Sequence, residues 1–158
     1  MINLGTYSGK NCPNVHLKIG IIDRILEGLA LFVQLALWGC IYWIYTKKGS
    51  ALSSATWVMG GLSTFTFILL GVCSYGPVRI FNFPVRVSER NVAVQYLLAV
   101  RFVRILNVLL GVFFLTTVFM EYYKWTSVFF SATLVLQAIA FIVYFVMANK
   151  YKSGDTYK

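Results

Sequence analysis

Four apolar stretches, at about residues 25–45, 52–73, 102–120 and 125–147, constrain this chain more than anything else in it. Each is close to the ~20 residues that a helix needs to cross the hydrocarbon of a bilayer. A chain of 158 residues that is 59% hydrophobic and 12% charged has too little interior to hide that surface in a soluble core. The predicted fold is therefore all-α: an integral membrane bundle of four transmembrane helices, one domain over 1–158 with a polar tail at 1–20. The first apolar run begins too late and is too long for a cleaved signal peptide, and is expected to be a retained anchor.

The connection between the second and third spans holds the most local information. Pro84 fixes its own backbone and pushes Phe83 toward an extended conformation, so no helix should pass through. Ser88 suits an N-cap and Glu89 the positive end of a helix dipole, which predicts a helix from about Glu89. Arg90, Arg101 and Arg104 would fall within roughly 60° of one another on it, as one basic stripe. A helix from Glu89 to Met120 would be about 48 Å long against ~30 Å of hydrocarbon. Its first turns, with the connection before them, are therefore expected to form a cytoplasmic interfacial segment.

Orientation follows from the cations. The tail side carries Lys10, Lys18 and Arg24, the long connection Arg79, Arg86, Arg90, Arg101 and Arg104, and the C-terminal end Lys150, Lys152 and Lys158. The other two connections hold Lys47, Lys48 and Lys124. This asymmetry predicts that both termini and the long connection are cytoplasmic. Trp38, Trp43, Trp57 and Trp125, with Tyr42, Tyr45, Tyr122 and Tyr123, fall toward the opposite face. A net charge of +9 in a soluble protein would suggest nucleic acid. Here the cations gather in loops and ends, which fits anionic lipid headgroups, and no nucleic-acid partner is expected.

Within the spans, Ser53, Thr56, Gly60, Thr64 and Gly71 recur at helical steps, as do Ser127 and Ser131. Small residues at this spacing allow close helix approach, either inside the chain or across a homo-oligomer. Glu27 and Gln34 lie seven apart on one face, and an ionisable group at this depth needs a partner. Arg101 or Arg104, at a similar depth, is the predicted partner of Glu27. Asn107 and Gln137 are expected to hydrogen-bond between helices. Glu27, Gln34, Arg90, Arg101 and Arg104 are thus the candidates for binding a ligand or partner.

Catalytic chemistry has little to stand on. His16 is the single histidine, and Cys12, Cys40 and Cys73 form no Cys-x-x-Cys pair. There is no glycine-rich phosphate loop, and no metal or cofactor is expected. Glu121 stands alone near the far face, where solvation or a pair with Lys124 is expected.

The segments Ile22-Asp23-Arg24-Ile25-Leu26-Glu27-Gly28, Leu35-Ala36-Leu37-Trp38-Gly39 and Arg79-Ile80-Phe81-Asn82-Phe83-Pro84-Val85, with Gln95-Tyr96, carry a resemblance. Over about residues 22–110 the chain resembles small multi-pass inner-membrane proteins of Bacteroidetes-type bacteria, in an uncharacterised domain family related to Sdp-type immunity proteins. The likeness implies a bacterial inner membrane and a non-enzymatic role. The chain departs from it after the first span, where the family's Pro-x-His-Phe-Asn loop is replaced by the short connection Thr46-Lys47-Lys48-Gly49-Ser50-Ala51. The expected function is an interaction module of immunity or signalling-accessory type, using helix faces within the bilayer and a basic cytoplasmic surface. Its expected partners are membrane lipids, with a protein or peptide, or further copies of the chain, as additional candidates. A competing expectation is a small oligomeric transporter or channel with a polar path through Glu27, Gln34 and Arg101; an enzyme acting on lipid ranks third.

Overall fold

The computed structural model describes residues 20–48, 53–87, 90–123 and 127–152. Among them lie four long helices, α1 (Ile21–Lys48), α2 (Ser54–Cys73), α3 (Val92–Tyr122) and α4 (Ser127–Lys150), with one 3-10 turn at Val78–Ile80. All four helices are long and apolar enough to cross a membrane, so the chain is a multi-pass integral membrane protein. Its 31-residue α3, about 46 Å long at ~1.5 Å per residue, overreaches the ~30 Å hydrocarbon as the sequence predicts.

The helix ends follow from local chemistry. Ser53, placed by the sequence reading among the packing residues of span two, instead caps α2, its hydroxyl accepting from the Thr56 amide at 3.3 Å. The predicted start of α3 at Glu89 is corrected, because the helix begins at Val92 with Asn91 in the cap position. Ser88 and Glu89 lie outside the described residues. Asn91 makes no side-chain cap bond; its amide donates to the carbonyls of Arg86 at 3.1 Å and Lys152 at 2.7 Å. Gln95, fully buried one turn on, donates to the carbonyls of Ala148 at 2.9 Å and Tyr151 at 3.3 Å. These two amides, at the start of α3, thus satisfy the Ala148 carbonyl in the last turn of α4 and the Tyr151 and Lys152 carbonyls just beyond it.

α3 is the central helix, packing on α1, α2 and α4, while α4 leans chiefly on α3. The antiparallel α3 and α4 are zipped by aromatic contacts, Phe102 with Phe141 and Phe113 with Phe130, at centroid distances of 4.9 and 5.2 Å. Two buried clusters hold the bundle. One seats Val78, Phe83 and Val87 of the connection against Val92, Tyr96 and Val100. The other joins Leu37, Ile41 and Ile44 of α1 to Val118 of α3.

The small residues of α2 serve this internal packing. Thr56, Gly60 and Ser63 are buried, and a side-chain carbon on Gly60 would stand 2.9 Å from Cδ1 of Ile41. Ser127 and Ser131 do not pack in this way. Both are exposed and bond along their own helix, Ser131 hydroxyl to Ser127 carbonyl at 3.1 Å, while Thr133 and Ala148 are the buried residues of α4.

Candidate functional site

The ionisable groups inside the bundle meet at the end formed by the start of α1, the end of α2 and the first half of α3. Arg104, 6% exposed, places Nη1 at 2.7 Å from Oδ1 of Asp23 and Nη2 at 2.8 Å from Oε1 of Glu27. Asp23 is almost fully buried, and its Oδ2 accepts the Gly20 amide at 2.9 Å. Arg101 approaches the same aspartate, its Nε 3.6 Å from Oδ1, beyond hydrogen-bonding distance. Tyr75, in the turn after α2, donates its hydroxyl to Oε1 of Glu27 at 2.6 Å and lies under the Arg104 guanidinium, 5.4 Å from the ring centre. That hydrogen bond to the Glu27 carboxylate, with burial and the negative charge adding to it, raises the Tyr75 phenol above its ordinary 10.0 against the opposing pull of Arg104.

Two carboxylates face two guanidinium groups, so the cluster carries no net charge. Pairing of this kind is what lets ions stand at membrane depth, where a lone charge is costly. The sequence reading pairs Glu27 with Arg101 or Arg104, and the partner is Arg104. It does not anticipate Asp23 or Tyr75. The predicted basic stripe is corrected as well: Arg104 turns inward, Arg101 is half-buried, and Arg90 sits exposed in the turn before α3 rather than on it.

Gln34 belongs to a separate network. Its Nε2 donates to Thr64 Oγ1 at 2.9 Å and its Oε1 accepts from Ser63 at 2.8 Å. The Trp38 indole also donates to Thr64, at 3.0 Å, which ties this ring to α2. Near the far end, Thr56 donates to Glu121 at 2.7 Å with the Tyr122 hydroxyl 3.0 Å away; Lys124 lies outside the described residues. Between the two networks stands the apolar cluster of Leu37, Ile41, Ile44 and Val118. Asn107 makes the predicted interhelical bond, to the Phe67 carbonyl at 3.2 Å. Gln137 does not: its Nε2 is buried with no hydrogen-bond partner among the described residues.

Beside the ion cluster a cavity of about 210 Å³ opens between α1, α2 and α3, its lining including Leu26, Glu27, Phe67, Tyr75 and Arg104. Around the same end of the bundle, Arg24, Arg79, Arg86, Arg90, Lys150 and Lys152 are exposed, and none has an acidic partner among the described residues. No group of three or more metal-ligating side chains occurs among those residues. No family model, curated protein or solved structure matches the chain.

Proposed function

We infer that this chain is a non-enzymatic interaction module of a bacterial inner membrane, of the immunity or signalling-accessory type, with both termini and the Asp23 end of the bundle in the cytoplasm. One observation carries the reading. The charges inside the bundle cancel one another, whereas six cations around the Asp23 end are left for something outside the described residues. Such a rim attracts anionic lipid headgroups and acidic segments of a partner. The apolar cluster around Leu37 and Val118, which interrupts the polar groups along the bundle, supports docking over conduction.

The experiment is gentle extraction of the tagged chain from its native membrane, followed by mass determination of what stays bound. A second protein or peptide at fixed stoichiometry, lost when Arg79, Arg86 and Arg90 are replaced by serine, is the expected result. A partner-free homo-oligomer that passes solute in reconstituted vesicles would overturn the reading.

A further inference from the structure

Where the connection after α2 meets the end of α4, three cations are anchored around one buried amide. Val85 and Val87 are buried on either side of Arg86, which fixes that stretch of backbone and leaves the Arg86 side chain outside. Asn91, 1% exposed, donates both protons of its amide here, to the carbonyls of Arg86 at 3.1 Å and Lys152 at 2.7 Å. Two separate parts of the chain thus meet at one nitrogen, and Arg90 is the residue just before it. Arg86, Arg90 and Lys152 are all exposed, and none of them pairs with an acid among the described residues. Like charges anchored around one point raise the local potential, and an anion placed among them lowers it.

We propose that Arg86, Arg90 and Lys152 bind the head of an anionic lipid that carries two phosphates, its acyl chains lying against α4. The inference rests on the reading of the basic rim as a surface left for something outside the chain, and assigns a ligand to one part of it. Each guanidinium can bond phosphate oxygens through two parallel N–H groups, and the lysine adds a point charge. A head with one phosphate leaves most of this charge unmatched, whereas a second phosphate in the same head brings the site closer to neutrality. The neighbouring surface favours a lipid over an acidic protein segment. Phe145, about two turns before Lys152, is exposed, with Ile142 and Val146 exposed beside it. Cations between two membrane-crossing helices, next to an exposed apolar face, suit a phosphate head with hydrocarbon chains attached.

The test uses the full chain purified in a nonionic detergent, titrated with diphosphatidylglycerol and followed by native mass spectrometry. The expected result is one bound diphosphatidylglycerol per chain, held about tenfold more tightly than phosphatidylglycerol. Phosphatidylcholine, which has no net charge, and inorganic pyrophosphate, which has no chains, should not bind at the same concentration. Arg86→Gln together with Arg90→Gln should weaken diphosphatidylglycerol about thirtyfold, and Lys152→Gln about fivefold. Lys152→Gln serves alone should the double variant fail to fold. Lys47→Gln, at the other end of α1, should leave binding unchanged. Phosphatidylglycerol or pyrophosphate binding as tightly as diphosphatidylglycerol, or Arg24→Gln weakening it as much as Lys152→Gln does, would overturn the proposal. The titration contains no protein partner, so its failure is distinct from a failure of the extraction experiment.

Discussion

Arg104 and Asp23, far apart in the chain, meet at 2.7 Å and tie the middle of the bundle's central helix to the first turn of α1. The aspartate is reached by one strong ion pair, one longer contact from Arg101 and one backbone amide. The guanidinium is shared with Glu27 at 2.8 Å. A buried ion pair contributes little over an apolar pair of the same shape, but removing one member leaves the other uncompensated.

The two acids should therefore differ in their replacement costs. Asp23→Asn strips charge from a buried site and should destabilise the bundle by about 3 kcal/mol. Glu27→Gln, at a side chain one-third exposed, should cost about 1 kcal/mol or less. Reversible unfolding in mixed micelles measures both, and a larger loss at Glu27 would contradict the ranking.

Gln137 points to an improvement. Its Nε2 is buried with no hydrogen-bond partner among the described residues, near the middle of α4. Gln137→Leu removes that unsatisfied donor and should stabilise the protein by about 1 kcal/mol, raising its melting temperature in detergent. A destabilised variant would mean that the amide is bonded.

Tyr75 sets a limit at high pH. The phenol is held above 10.0 because its hydrogen bond to Glu27 exists only while it is protonated. A group whose folded pKa is raised stabilises the fold fully below the unfolded value and loses that contribution as pH rises through the folded value. Stability should therefore be insensitive to Tyr75 ionisation up to about pH 10 and fall above it. Ultraviolet titration of tyrosinate should show a late component that disappears in Tyr75→Phe and moves to lower pH in Glu27→Gln.

Neighbouring glycines of α2 should respond oppositely. Gly60→Leu must displace Ile41 and Trp38 from a close contact and should cost about 2 kcal/mol, whereas Gly61→Leu enters open space and should cost little. Melting temperatures of the two variants in the same detergent decide this.

The helices were legible because hydropathy reports the solvent directly, and a bilayer demands ~20 apolar residues per crossing. The Glu27–Arg104 pair was legible because an ion at that depth requires a partner. Asp23 was not, since an acid in a first turn already has a sufficient explanation in the helix dipole. Its spacing of four from Glu27, facing arginines three apart, was the available signal: both pairs fall on single helix faces. The start of α3 was misplaced because Asn91 and Gln95 are committed to carbonyls at the end of α4 and just beyond it, a tertiary demand invisible in local capping preference. Tyr75 and the cavity depend on how the end of α2 meets α1 and α3, which no periodicity encodes.

The cancellation of charge inside the bundle is tested most directly by a double-mutant cycle on Asp23→Ala and Arg104→Ala, with unfolding free energies measured in one detergent. Each single variant should be strongly destabilised and the double variant far less than their sum, giving a coupling of about 2 kcal/mol or more. Additive losses, with coupling near zero, would contradict an internally neutralised core and return Arg104 to the pool of charges available to a ligand or partner.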